Sequence, residues 1–395
     1  MANFAVINPG LYHYGQNYPN PPYHKRRYRD YLEPFKNVQF KTSVLHNRRI
    51  YIGNVKVTYT DGTVETLGDT MFKSSLGNFD RFTKKGRIDV AVGDGENIIK
   101  LETYADRILQ FKDKTLHIIN ASGKAEFLED SFKYKGVDNS QAVARTDFGI
   151  AWVNSFGCYI YDGREIHDLL EDGIKRKINK STWSDFISTT SMVGYSPSKR
   201  QIIIVDSYLG SASDGDIYLY DIPTRSWVQG NARVAGDDKS NFIIKNSQNR
   251  ETSELVYSKN FSDNGNASTR LQKWLDTPDV GSIDLQLKDV DFGHPHLRKK
   301  IHKVYVTAKK GAGISISAAT NGSGNYADVT FADTNNNGSP NIDLNNSSTW
   351  YKNEFKIASG GNNVYSIQLK FSGTSGSSEF SINDVSIVYR AKGVK

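Results

Sequence analysis

Apolar and polar residues alternate along most of this chain, and the pattern is clearest between Gly215 and Trp227. The run Ile217-Tyr218-Leu219-Tyr220-Asp221 alternates as a half-buried β-strand does. Ile222-Pro223-Thr224 then forms a turn, because proline presets φ and an Asp side chain can bond the backbone beyond it. Trp227 begins a second strand or fills the gap between sheets. This pattern predicts the outer hairpin of a β-propeller blade.

Similar hairpins recur at intervals of roughly 40–60 residues, which is the range of propeller blades. The predicted strand pairs are Arg49–Glu65, Arg107–Asn120, Gly149–Gly163, Arg200–Asp206 with the run described above, and Glu254–Ser258 with Thr269–Trp274. The repetition predicts an all-β chain with a β-propeller-like domain over residues 44–280. An ordinary β-meander is the alternative. From Glu165 to Ile187 the apolar spacing is nearer three to four, which predicts one or two short helices on a connection.

Residues 281–395 are predicted to form a second, C-terminal β-domain. Alternating segments are separated by Gly, Asn and Ser, and these segments are Ile283–Leu285, Lys303–Ala308, Ile314–Ser317, Trp350–Ile357, Tyr365–Phe371 and Phe380–Tyr389. Short strands at this spacing predict a β-sandwich of the jelly-roll type.

Residues 1–43 have neither helical nor strand periodicity and are predicted to form an extended N-terminal arm. The arm combines five prolines with a basic run from Lys25 to Arg29 and six tyrosines: Tyr12, Tyr14, Tyr18, Tyr23, Tyr28 and Tyr31. Tyrosines offer large contact areas at a low entropic cost, so we expect the arm to dock on a neighbouring subunit, with Arg26 and Arg27 as charged anchors. A floppy terminus is the alternative.

Composition excludes several classes of protein. Aromatic residues make up 12% of the chain, which argues against disorder. Cys158 is the only cysteine, so an intramolecular disulfide is excluded, and its strand-like surroundings predict a buried, inert thiol.

No apolar run is long enough to span a bilayer, and no secretory signal is visible, so we expect synthesis in a cytosol. The net charge of +7 is mild for a chain of this length. The local basic runs favour a solvated surface or contact with a protein partner over contact with nucleic acid.

Candidate chemistry is weak along the whole chain, and we predict no catalytic residue, no metal and no cofactor. Asp333–Gly338 resembles the first half of a calcium loop, but Leu344 stands where a closing glutamate is needed, so a surface turn is favoured. His294, His296 and His302 could contribute to a zinc site only with a further ligand from elsewhere. Some glycosidases are propellers with paired carboxylates, yet here Gly93–Glu96 is more simply a hairpin turn.

Several sequence segments resemble those of the β-propeller virion proteins of tailed bacteriophages, and they are similar to segments of podovirus tail nozzle (tubular) proteins. These segments are Arg87–Glu102, Tyr104–Lys112, Phe148–Trp152, and Asp289–Gly293 with Arg298–Ile301. The resemblance covers about residues 44–310 and implies a structural component of the virion tail. It implies a homo-oligomeric ring, six-fold by analogy, that docks to tail or adaptor proteins and surrounds the DNA-ejection channel, with transient contact to phage DNA.

Two other functions remain open at this point. The C-terminal domain could bind carbohydrate or a receptor, with Trp350, Tyr351 and Tyr326 stacking on sugars, although aromatic residues at such positions more often pack in a core. A propeller glycosidase is the other alternative, and it would need a carboxylate pair in the funnel. The chain also departs from the nozzle pattern, because only four or five blades are recognisable in it.

Overall fold

The computed structural model describes residues 33–395 except for 124, 173–174, 210–214, 232, 235–238, 246–247, 250, 264–265, 275–281, 333–342, 375–379 and 394–395. The chain divides into two compact units, one ending at Trp274 and the other beginning at Leu275. The predicted boundary after residue 280 falls among residues that are not described. Both units are built almost wholly of strands, as the alternation predicts. Within the described residues, no helix is long and apolar enough to cross a membrane.

In the part of the first unit that the structure describes, there are five successive antiparallel sheets, of which the first four have four strands and the fifth has three. The sheets consist of β1–β4, β5–β8, β9–β12, β15–β18 and β19–β21, and a small hairpin, β13–β14, follows the third sheet. The strands are β1 (Asn37–His46), β2 (Arg49–Thr58), β3 (Val64–Ser74), β4 (Phe82–Asp89), β5 (Ile98–Tyr104), β6 (Arg107–Lys112), β7 (Thr115–Asn120), β8 (Phe127–Lys133), β9 (Val143–Thr146), β10 (Gly149–Asn154), β11 (Gly157–Tyr161), β12 (Ile166–Asp168), β13 (Glu171–Asp172), β14 (Lys175–Arg176), β15 (Met192–Ser196), β16 (Gln201–Val205), β17 (Ile217–Asp221), β18 (Ser226–Gly230), β19 (Lys239–Lys245), β20 (Glu254–Asp263) and β21 (Asn266–Lys273).

Consecutive sheets meet through their first or second strands, which is the arrangement of a propeller-like fold. Strand β5 contacts β1 of the sheet before it and β10 of the sheet after it, and β15 likewise contacts β9 and β19. Buried side chains fill the spaces between sheets. Trp152 and Tyr159 lie in the core shared by the second, third and fourth sheets. The repeated hairpins therefore form a propeller-like unit.

The predicted hairpins are confirmed strand by strand. The Asp-Gly turn at Asp61 joins β2 to β3, and Gly62 adopts a φ of 87°, which glycine reaches without steric strain. In the hairpin of β17 and β18, Tyr220 lies opposite Trp227. The Trp227 indole nitrogen donates to the carbonyl oxygen of Leu169 at 3.0 Å, so this residue both belongs to the second strand and packs beyond its own sheet.

The first sheet begins earlier than the predicted end of the arm at residue 43. Strand β1 starts at Asn37, and the amide of Phe35 already donates to the carbonyl oxygen of Phe82 at 3.0 Å. The Phe35 ring packs edge-on against Tyr59 and Phe72, with centroids 5.4 and 5.2 Å away. These aromatic contacts extend the sheet toward the N-terminus.

The predicted helical connection is correct only in its last part. One helix, α1 (Lys180–Phe186), begins after Asn179, whose side chain accepts a hydrogen bond from the amide of Ser181 as an N-cap. The preceding residues form β12 and the β13–β14 hairpin instead. A separate 3₁₀ helix, Ser140–Ala142, precedes the third sheet.

The second unit is a β-sandwich, as predicted. Its strands are β22 (Ser282–Gln286), β23 (Lys299–Lys309), β24 (Ile314–Thr320), β25 (Thr330–Ala332), β26 (Tyr351–Ser359), β27 (Asn362–Val364), β28 (Ile367–Thr374) and β29 (Ser381–Ala391). One sheet has the order β22-β28-β24, and the other joins β25, β26, β27 and β29 around β23. Most consecutive long strands alternate between the two sheets, as in jelly rolls. Phe355 and Phe371 lie in the core between the sheets.

Candidate functional site

The residues predicted to mediate assembly lie outside the part of the chain that the structure describes. They are Tyr12, Tyr14, Tyr18, Tyr23, Arg26, Arg27, Tyr28 and Tyr31. Their docking on a neighbouring subunit therefore stays a prediction. The same holds for the calcium-like turn, because Asp333–Gly338 also lies outside the described residues.

A cluster of charged groups fastens the connection between the first and second sheets. At the end of β6, Lys112 is fully buried, and its ammonium donates to the carbonyl oxygen of Ala91 and to Asp94 Oδ2, both at 2.8 Å. Glu96 reaches the β6–β7 turn, where its carboxylate accepts hydrogen bonds from the amide and the hydroxyl of Thr115, both at 3.1 Å. The sequence predicts only a simple turn at Gly93–Glu96, and in the structure the acidic residues of this segment also bind the second sheet.

The electrostatics of this cluster follow from burial and from the lysine. Burial by itself would raise the pKa of Asp94, but the hydrogen bond from Lys112 and the Glu96 amide outweigh it, and the pKa is lowered. Partial desolvation, followed by the nearby Glu96 carboxylate, raises the pKa of Asp113. Burial, followed by the charge of Lys112, lowers the pKa of His117, which favours the neutral imidazole.

Chemically, the cluster binds and positions protein groups. Asp94 and Glu96 are both engaged by groups of the neighbouring turn, and His117 Nδ1 lies 2.7 Å from Ser131 Oγ on the adjacent strand. Sequence reasoning missed the cluster, because nothing in the run Phe111-Lys112-Asp113 distinguishes a buried lysine from an ordinary turn lysine. Only the loop folding back from the first sheet brings Asp94 to it.

The three aromatic residues considered for sugar stacking are separated by the fold. Trp350 and Tyr351 lie together at the start of β26 and are 51% and 44% exposed, so core packing is wrong for both. Tyr326 lies with the other sheet, where its hydroxyl donates to Gln286 Oε1 at 3.1 Å. Of the three residues considered, Trp350 and Tyr351 are therefore the exposed ones.

The histidine-rich segment holds a buried lysine. Lys299 is fully buried and donates to the carbonyl oxygens of His294 and Tyr365 at 2.6 and 2.7 Å. The rings of His294 and His296 are 6.2 Å apart. Among the described residues, no group of three or more His, Cys, Asp or Glu side chains is arranged to hold a metal ion.

Cys158 is a buried free thiol, as predicted. It lies on β11 within the core of the third sheet, and burial raises the pKa of the thiol. A thiol without thiolate character is a poor nucleophile. The side chain therefore serves packing.

No protein-family model and no curated protein sequence matches this chain. Solved structures of propeller proteins are loosely similar to it. A sialidase of Trypanosoma rangeli in complex with sialic acid is 10% identical with a TM-score of 0.33, covering 90% of this chain and 81% of that one. Kluyvelomyces marxianus Hsv2 is 9% identical with a TM-score of 0.32, covering 57% and 73%. A family 43 arabinoxylan arabinofuranohydrolase of Bacillus subtilis is 11% identical with a TM-score of 0.21, covering 91% and 96%. Structural similarity at these TM-scores and identities does not indicate an activity for this chain.

Proposed function

We propose that this chain is a non-enzymatic structural protein of a bacteriophage tail, similar to podovirus tail nozzle proteins. In this proposal, copies of the chain form a ring in the virion, six-fold by the nozzle analogy, next to tail or adaptor proteins. The propeller-like unit contributes to the wall of the DNA-ejection channel, and the N-terminal arm docks on the neighbouring copy. The role is mechanical: the rigid sheets maintain the shape of the channel while DNA passes through it.

The proposal rests on one observation: the acidic residues of Arg87–Glu102 bind groups of the protein itself. This segment is one of those that carry the resemblance to nozzle proteins. Arg87 Nε lies 2.9 Å from Asp89 Oδ1 within the first sheet. Asp94 and Glu96 then bind the turn of the second sheet. Asp94 and Glu96 thus bind the connection from the first sheet to the second sheet, which is what a rigid wall needs. An acid–base pair for hydrolysis would need its carboxylates free to reach a substrate.

The proposal is tested by the oligomeric state of the full chain and of a version lacking residues 1–32. Deletion must stop there, because removing residues 1–43 would also remove most of β1 and the contacts of Phe35. We expect light scattering and electron microscopy to show a closed ring for the full chain. We expect the truncated chain to be a monomer with an unchanged circular-dichroism spectrum.

Two substitution variants locate the contacts within the arm. Replacing the six arm tyrosines by alanine should abolish the ring as deletion does, and Arg26→Gln with Arg27→Gln should weaken it in a salt-dependent way. A full chain that stays monomeric at high concentration, or a truncated chain that still forms the ring, contradicts the proposal. So does turnover of glycoside substrates that is lost on Asp94→Asn or Asp113→Asn.

A further inference from the structure

The outer face of the sheet formed by β26, β23 and β29 carries an unusual set of side chains. Along β23, Val304 and Val306 point into the core and are fully buried, so Lys303, Tyr305 and Thr307 point outward. The register places Lys356, Glu354 and Lys352 of β26 opposite these three residues in turn. Cross-strand partners share a face, so the six side chains form one outward surface.

Two aromatic rings on this surface are each paired with a lysine. Lys352 Nζ lies 4.4 Å from the centre of the Tyr305 ring, and Lys309 Nζ lies 5.4 Å from the centre of the Trp350 ring. Cation–π contacts of this kind hold a ring in place. Because Trp350 is nevertheless 51% exposed, it offers a fixed, solvent-facing surface for another flat molecule.

The surface has a mixed but positive charge. Lys303, Lys309, Lys352 and Lys356 stand against two carboxylates, Glu354 and, on β29 opposite Thr307, Asp384. One lysine is neutralised by its neighbour, since Lys303 Nζ lies 2.7 Å from Glu354 Oε1. Lys352 and Lys309 lie near the Tyr305 and Trp350 rings, and Lys356 lies opposite Lys303 on the same face. We call this set of residues, with Tyr305, Thr307 and Trp350, the aromatic–lysine face.

We propose that the aromatic–lysine face binds an acidic polysaccharide. Sugar rings stack on Trp350 and Tyr305, acidic groups of the polymer pair with Lys309, Lys352 and Lys356, and sugar hydroxyls donate to the carboxylates. The inference does not depend on the tail role proposed above. It adds a binding site that is confined to the second unit.

The two carboxylates decide between a polysaccharide and a nucleic acid. Single-stranded nucleic acids also bind where aromatic rings and cations alternate. The sugar–phosphate backbone of DNA presents only acceptors, so it offers no group from which Glu354 and Asp384 could accept a hydrogen bond. A polysaccharide carries hydroxyl donors beside its acidic groups and therefore matches both the acceptors and the cations.

The opposite sheet provides a matched control. There, Lys370 Nζ lies 5.2 Å from the centre of the Tyr326 ring, so the same pairing occurs. Lys370 is also bound to Asp284 at 2.8 Å, and the Tyr326 hydroxyl is bound to Gln286. These groups are already satisfied within the sheet. Tyr326→Ala thus removes an aromatic ring from a lysine without touching the proposed site.

The experiment measures binding of the full chain to alginate, to neutral dextran and to single-stranded oligothymidylate by calorimetry at low and high salt. We expect the full chain to bind alginate, more weakly at high salt, and not to bind dextran. Trp350→Ala and the pair Lys309→Gln, Lys352→Gln should each reduce the affinity for alginate by at least about tenfold. Tyr326→Ala should leave it unchanged. Because these side chains point outward, melting curves should show that the variants remain folded.

Three results overturn the proposal. The first is an absence of alginate binding at low salt. The second is an equal loss of affinity on Tyr326→Ala, which would place the binding elsewhere. The third is oligothymidylate binding that is at least as tight as alginate binding and is lost on Trp350→Ala, which would make the face a nucleic-acid site. None of these results bears on ring formation, so the two proposals succeed or fail separately.

Discussion

Replacing Lys112 by methionine tests whether the charged cluster fastens the first two sheets. The substitution keeps most of the apolar stem and removes an ammonium that is fully buried and makes two hydrogen bonds of 2.8 Å. Hydrogen bonds from a charged donor contribute about 1.5–3 kcal/mol, and removing one partner of a buried pair costs about 3–5 kcal/mol. The Asp94 side chain is 31% exposed, so water can solvate it afterwards. We therefore expect the lower end, a loss of about 2–3 kcal/mol in the free energy of unfolding.

The effect should depend on pH with a definite sign. The pKa of Asp94 is lowered in the folded chain, so the stability that the carboxylate contributes is present above its unfolded pKa of about 3.9 and is lost as the pH falls through the folded value. Lys112→Met removes the main cause of that lowering. The difference in stability between the two proteins should therefore be largest near neutral pH and narrow below about pH 4.

Urea unfolding followed by tryptophan fluorescence is the assay, because four of the five tryptophans lie in the first unit. Lys114→Met is the matched control, since the Lys114 side chain is exposed in the same turn and should change stability by no more than about 0.5 kcal/mol. An unchanged urea midpoint for Lys112→Met refutes the reasoning. A full-sized effect of that substitution in an Asp94→Asn background also refutes it, since the two residues would then act independently.

Three further substitutions or modifications have definite expected results. Trp183→Phe should lower the free energy of unfolding by about 1–3 kcal/mol in urea titrations, because the buried indole nitrogen donates to the carbonyl oxygen of Asn154 at 2.9 Å; an unchanged midpoint would contradict that bond. Cys158 should not react with a thiol reagent in the native chain and should react fully after denaturation, since it is buried with a raised pKa; rapid native reaction would contradict burial. Hydrogen bonds from the Glu165 amide and from His167 lower the pKa of Asp162 to about 2, so Asp162→Asn should lower the melting temperature at neutral pH. That difference should fade as the pH falls from about 4 to about 2; a pH-independent difference would contradict the assignment.

The hairpins could be predicted from the sequence because their signals are local. Asp61-Gly62 and Asp221-Ile222-Pro223 specify turns within a few residues, and the alternation on either side fixes which strands pair. The start of β1 could not be predicted in the same way. It depends on Phe35 packing against Phe72, a contact between residues far apart in the chain. The arm-like composition before Asn37 gives no sign of that contact.

Lys112 and Trp350 show two different limits of sequence reasoning about sites. The burial of Lys112 depends on a loop from another sheet, and no pattern near residue 112 contains that information. The outward orientation of Trp350, by contrast, can be predicted from the alternation of residues along its strand. Phe355 of β26 is buried, so the opposite parity, Glu354, Lys352 and Trp350, must face outward. An exposed tryptophan two residues before a lysine on an outward-facing row is therefore a surface feature that parity alone could have identified. The same parity rule can be applied to the other strands of the sandwich wherever one buried aromatic residue fixes the phase.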